Sequence, residues 1–208
     1  MTLIRNLLLG VSLLALVRMS ADDERMSPEL LWKLGRLGGA TVSADGKTVA
    51  YTVRSYELKD DKGTSSLFLR HLDQDGEVAI VKDWPSIGEV QFGSSPFGER
   101  LFFVGSRGLS DDEASQAWSL NPLDGGLLQI TDIDDGVANL KVSPSGKHLA
   151  FTLEIKLDQE VTEIYEDLPK ADARIIDSLM YRHWNGWHDF KYTHLHVAPV
   201  GDDGRAGE

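Results

Sequence analysis

The sequence predicts an all-β fold: a partial β-propeller of about three four-stranded antiparallel blades, incomplete, with a short N-terminal helix and a partly helical insertion in the third blade. Three observations predict it. First, "ATVSADGKTVAYTV" (residues 40–53) is echoed position for position by "LKVSPSGKHLAFTL" (residues 140–153). Second, "VQFGSSPFGERLFFVG" (residues 90–105) lies between them as a weaker copy whose turn reads about two residues longer. Gly46, Gly98 and Gly146 therefore recur with a period close to 50. Third, each of the first two copies is followed by another hairpin pattern, "SLFLRHLDQDGEVAIVKD" and "QAWSLNPLDGGLLQITD", centred on Asp75-Gly76 and Asp124-Gly125. Four short strands in each repeat of roughly 40–50 residues is the pattern of a propeller blade. A sandwich with chance similarity would not hold its register from Gly46 to Gly146.

The elements follow in order. "LLLGVSLLALV" (residues 7–17) is an apolar run of 11 residues behind Arg5. A membrane span needs roughly 20 such residues, so residues 1–21 read as a signal peptide, cleaved after Ala21, with no stable span afterwards. Ser27 is a helix N-cap and Pro28 suits the first helical position. Leu30, Leu31 and Leu34 recur at helical spacing, and Gly35 or Gly38 is placed to end the helix. Blade 1 is expected over residues 38–83 and blade 2 over residues 87–132. Blade 3 is expected over residues 136–208, with an insertion at residues 156–193. In each blade an apolar strand meets a tight turn whose glycine can take a positive φ, and a second strand follows.

Blade 3 contains "ANLKVS", "HLAFTLEI" and, after the insertion, "THLHVAPV", then the turn-like "GDDGRAGE". A fourth strand is not seen, and closure takes about 4–8 blades. The expectation is an N-terminal part of a longer protein. Within the insertion, Ile175, Ile176, Leu179 and Met180 sit at helical spacing, and Asn185-Gly186 should break that helix.

Composition excludes several classes. The 208 residues are 41% apolar, enough for a core, and carry a net charge of −12. That charge argues against nucleic acid or an anionic membrane as a partner. With no cysteine there are no disulfides, thiolate metal sites or cysteine nucleophiles.

"YRHWNGWHDFKYTHLHV" (residues 181–197) concentrates four of the six histidines. Three readings stay open from the residues alone. His194 and His196 share a strand face and could ligate zinc, but H-E-x-x-H is absent. Tyr181, Arg182, His183, Trp184 and Trp187 could form a substrate-facing surface, with Arg182 pairing to a peptide and the tryptophans making an apolar wall. Or the tryptophans bury against a blade edge as scaffold.

Three stretches resemble the propeller of the prolyl oligopeptidase family of serine peptidases, closest to the bacterial dipeptidyl-peptidase V and acylaminoacyl-peptidase branch. They are residues 26–53, the strand-turn-strand "VSPSGKHLAFT", and "ARIIDSLMYRHWNGWHDFKYTHLHV" (residues 173–197). The last is the most specific. It holds Arg182-His183-Trp184, Trp187 and His194-Leu195, and departs from the pattern at Phe190, where a turn glycine is usual.

The resemblance implies a propeller capping a C-terminal α/β-hydrolase domain with a Ser-Asp-His triad. That domain is absent from this sequence. No G-x-S-x-G occurs, because "VSPSG" and "VGSRG" both fail the pattern. No catalytic residue, metal or cofactor is assigned, and the chain alone is expected to be inactive. Its expected role is to gate and orient peptide substrate for the hydrolase in the periplasm or outside the cell. The alternative is a stand-alone periplasmic propeller used as a protein-binding scaffold.

Overall fold

The structure is a computed structural model that describes residues 25–110 and 113–207; the expected signal peptide lies outside them. Unit one contains the helix α1 (Pro28–Lys33). The Ser27 side chain accepts the Leu30 amide at 3.1 Å and Pro28 opens the first turn. Leu34 is already extended (φ −70, ψ 129), so the helix stops before either glycine expected to end it. No helix among the described residues is long and apolar enough to cross a membrane.

Residues 35–207 build three antiparallel blade sheets and one two-stranded hairpin sheet. The first is β1 (Arg36–Val42), β2 (Thr48–Glu57), β3 (Lys62–His71) and β4 (Val78–Trp84), ordered β1-β2-β3-β4. The second is β5 (Ser86–Ser95), β6 (Gly98–Ser106), β7 (Gln116–Leu120) and β8 (Leu127–Gln129), again in sequence order. Then come β9 (Ala138–Val142) and β10 (His148–Lys156). After β10 the insertion carries α2 (Val161–Ile164), β11 (Arg182–His183) and β12 (Gly186–Trp187). β13 (Lys191–Pro199) returns beside β10, giving the order β13-β10-β9. The first strands lie together, β1 beside β5 and β5 beside β9. This is the arrangement of propeller blades around an axis, and the three sheets do not close a ring.

The repeat seen in the sequence is a repeat of hydrogen bonds. Ser43 N donates to Thr48 O and Gly46 N to Ser43 O, each at 2.9 Å; Ser143 N donates to His148 O at 2.9 Å and Gly146 N to Ser143 O at 2.8 Å. Gly146 is needed twice over. Its φ is +68, and a Cβ there would meet Ser94 O of the neighbouring blade at 2.5 Å. The middle copy differs from expectation. Its turn is shorter, because Ser95 pairs directly with Gly98 across Pro96-Phe97, and the extra residues lengthen β5 to ten residues against seven in β1 and five in β9.

The core lies between the sheets. Ala50, Leu67, Leu69 and Val81 meet Leu101, Phe103, Trp118 and Leu120 in one cluster. Phe102, Val104 and Ala117 meet Leu140, Leu149, Phe151 and Ala198 in the other. β6 therefore feeds both cores with alternate residues, which is why it reads as the continuous apolar run "LFFV" instead of alternating.

The helix expected at Ile175–Met180 does not form: residues 171–180 are irregular, and the insertion's helix lies earlier, at α2. Leu179 and Met180 are 86% and 67% exposed. With no core to receive the apolar stripe, a short helix lacks the packing that normally stabilises it.

Candidate functional site

The insertion is closed at its root. Leu157 N donates to Phe190 O at 3.0 Å, extending the β10–β13 pairing by one step. Lys156 Nζ meets Glu160 Oε1 at 3.1 Å and Glu163 Oε2 at 2.9 Å, where Glu160 and Glu163 form a capping box on α2. Lys191 Nζ pairs with Asp135 Oδ1 at 2.5 Å on the other side. These pairs are solvent-exposed, so they orient the root more than they stabilise it.

Above the root, β11 and β12 form a hairpin with Arg182 opposite Trp187 and His183 opposite Gly186. The linking turn is Trp184-Asn185, with Trp184 at φ +54. An L residue at the first position of such a turn is strained, and glycine is the usual occupant. Trp184 is also 88% exposed, so packing within the chain does not account for it.

One face of the hairpin is a stack. Tyr181 lies on Trp187 with ring centroids 6.0 Å apart and planes 24° apart. Arg182 covers the Trp187 ring at 5.3 Å, and Arg174 lies 5.8 Å from the same ring and 5.9 Å from Phe190. Arg174 Nη1 also donates to His188 O at 2.9 Å, and His188 N donates to Tyr181 O at 2.9 Å. Phe190 N donates to His188 Nδ1 at 2.8 Å, which fixes that ring's tautomer with the proton on Nε2.

Beside the stack opens a hollow of about 510 Å3, lined by Arg174, Ile175, Met180, Tyr181, His188, Tyr192 and Asp158 among others. Tyr192 donates its hydroxyl to Asp158 Oδ2 at 2.5 Å. That hydrogen bond, with some help from burial, raises the phenol above its ordinary pKa. The hollow can take an apolar or aromatic side chain against Ile175 and Met180, with polar partners at one end.

Of the five residues singled out in the sequence, the structure brings Tyr181, Arg182 and Trp187 together. His183 and Trp184 sit at the hairpin turn against each other, with rings 6.3 Å apart. Only Tyr181 of the five also lines the hollow. Arg174, His188, Phe190, Tyr192 and Asp158 belong to the site but lie outside those five. His188, Phe190 and Tyr192 alternate in the sequence, but their rings come together around the left-handed turn at Phe190, which alternation alone does not show.

His194 and His196 are engaged otherwise. His194 Nδ1 is 2.9 Å from Tyr192 O, and His196 stacks on Phe151 at 6.3 Å. Among the described residues no three His, Asp or Glu side chains converge as metal ligands would. Phe190, the position where the family pattern has glycine, adopts φ +64.

Comparison with known proteins gives the frame for this site. No family model matches the chain. Dipeptidyl-peptidase 5 of Porphyromonas gingivalis is 35% identical over 164 residues, 79% of this chain and 23% of that protein. Dipeptidyl-peptidase 5 of Porphyromonas endodontalis is 29% identical over 168 residues, 81% of this chain and 23% of that protein. Among solved structures, the acylaminoacyl peptidase of Pyrococcus horikoshii superposes with a TM-score of 0.61 at 14% identity, covering 86% of this chain and 25% of that one.

The chain is a propeller portion of the prolyl oligopeptidase family. It spans about a quarter of the length of the curated relatives it matches. AtxE2 isopeptidase shows the same fold, with a TM-score of 0.58 at 14% identity, covering 88% of this chain and 32% of that structure. For this propeller portion, the hairpin and its hollow are the part of blade 3 that departs from a plain four-strand repeat.

Proposed function

We propose that the chain forms the N-terminal propeller of a secreted or periplasmic serine exopeptidase, of dipeptidyl-peptidase or acylaminoacyl-peptidase type, and that it admits and orients peptides for a C-terminal hydrolase portion. The observation that carries this reading is the similarity to two proteins named dipeptidyl-peptidase 5 across four-fifths of the chain. The hairpin supports a role in positioning. Trp184 is held in a strained turn and exposed, and the Tyr181–Trp187 stack is braced by two arginines at the side of an open hollow. Strain maintained at an exposed aromatic fits a contact made to something else. Tyr181, Arg182, His183, Trp184 and Trp187 are accordingly assigned to peptide contact, with Arg174 and His188 holding the stack in place.

The test is to express the complete downstream reading frame and assay chromogenic dipeptidyl and acylated substrates. Trp187→Ala and Trp184→Gly should raise KM several-fold while leaving kcat near its original value, because they touch substrate and not the reacting bond. Absence of cleavage with every such substrate overturns the reading. Cell fractionation with an antibody to the propeller checks the compartment, and a cytoplasmic location would remove the secreted part of the proposal.

A further inference from the structure

A second hollow, of about 520 Å3, lies where the first strands of the three sheets converge. Arg36 and Arg54 line it, with the hydroxyls of Ser65, Ser86 and Ser115 and one carboxylate, Glu89. That carboxylate is already committed: it accepts the Asn139 amide at 2.9 Å and the Leu140 amide at 2.6 Å. Arg54 directs its donors to neutral oxygens. These are the Tyr56 hydroxyl at 3.1 Å, Ser65 Oγ at 3.3 Å, Pro85 O at 3.0 Å and Gly63 O at 3.5 Å. Among the described residues, no carboxylate lies within ion-pairing distance of it. Arg36 covers the Tyr56 ring at 4.3 Å and Arg54 the same ring at 5.3 Å, so two guanidinium groups flank one phenol. The Arg54 hydrogen bond is the main reason that phenol titrates below its ordinary range.

A positive recess is notable in a chain of net charge −12. It is also open. β1 is bulged between Leu37 and Ala40, which takes Gly38 and Gly39 out of the regular pairing with β2. A Cβ added at Gly39 or at Gly88 would meet nothing within 4 Å.

We propose that this hollow binds a carboxylate, the C-terminal carboxylate of an oligopeptide, between the Arg36 and Arg54 guanidinium groups and the serine hydroxyls. After its four neutral partners Arg54 keeps one Nη2 hydrogen and its full charge for a carboxylate, and a serine hydroxyl can rotate to donate to it. The peptide part of the assignment rests on the peptidase reading above; the carboxylate part does not.

Isothermal titration of the 208-residue chain tests it, with tetra-alanine as free acid, tetra-alanine amide, acetate and inorganic phosphate as probes. The free acid should bind at least about tenfold more tightly than the amide, the worth of one charged hydrogen-bonding contact. Gly39 lines the hollow and a Cβ there meets nothing within 4 Å, so Gly39→Asp adds a like charge to the site and should abolish binding, while Arg36→Gln should weaken it by about tenfold. Arg54→Lys keeps the charge and should retain part of the affinity, and its thermal melt shows whether the fold survives. Equal binding of acid and amide, or unchanged binding by Gly39→Asp, overturns the proposal. Phosphate binding with neither peptide bound keeps an oxyanion site and overturns its assignment to a peptide terminus. No readout involves peptide cleavage, so failure of the peptidase reading and failure of this site are separately visible.

Discussion

Phe190 stands at φ +64, where an L side chain crowds the following carbonyl at a cost of roughly 1–2 kcal/mol. Its half-buried ring offsets part of this by packing edge-on to His188 and lying beneath Arg174. The usual ranking of glycine below alanine should therefore invert here. Phe190→Gly loses the ring but sheds the strain, whereas Phe190→Ala loses the ring and keeps it. Urea denaturation should place the glycine variant about 1 kcal/mol above the alanine variant, and the reverse order would show that the strain is not real. The sequence flagged this position, because the family pattern has glycine there. It could not show why, since φ is a property of the folded turn.

Tyr192 gives a residue-scale pH prediction. Its phenol is raised by donation to Asp158. A group raised in the folded state stabilises fully below its unfolded value of about 10, and that contribution is lost as pH climbs through the higher folded value. Tyr192→Phe should remove this alkaline fall from a stability–pH profile and leave the neutral-pH slope unchanged.

At the scale of elements, the repeat was legible and its inner detail was not. Gly46 and Gly146 announced the paired turns, because turn chemistry is local. The bulges of the first strands were invisible. Glu89 and Asn139 both take positive φ (+53 and +56) one period apart; asparagine is a residue that visits this region, but glutamate gives no sign of it. Glu89 uses the bulge to reach the next blade, where its carboxylate accepts the amides of Asn139 and of Leu140, which is fully buried. Glu89→Ala would leave a buried amide unpartnered and should cost about 1–3 kcal/mol in urea denaturation, with Glu89→Gln recovering part of it. The expected insertion helix failed for the opposite reason. The spacing of Ile175, Ile176, Leu179 and Met180 is helical, but spacing alone does not supply the surface that would cover them. The site was half legible on the same grounds. Tyr181, Arg182 and Trp187 are neighbours in sequence and in the hairpin, whereas Arg174 and Asp158 arrive from parts of the insertion that only folding brings together.

At the scale of the whole molecule, the middle sheet is buried on both faces and the outer sheets on one. Leu101 and Phe103 of β6 fill the first core, while Phe102 and Val104 fill the second. Leu195 and Val197 on β13 are by contrast 72% and 64% exposed. In a repeat array each unit is stabilised by itself and by its neighbours, so the unit with two neighbours should open last. Phe103 is completely buried, and Phe103→Ala should cost about 3–5 kcal/mol and weaken the junction of the first two sheets. Native-state hydrogen exchange is the measurement that separates sheet from sheet. Amides of β6 and β7 should exchange slowest, and those of β13 faster by a wide margin. Phe103→Ala should speed exchange in β2 and β3 more than in β10, because only the former share its core. Equal protection in all three sheets, with the mutation accelerating all of them alike, would mean that the blades open as one cooperative block and that the pairwise account of the core is wrong.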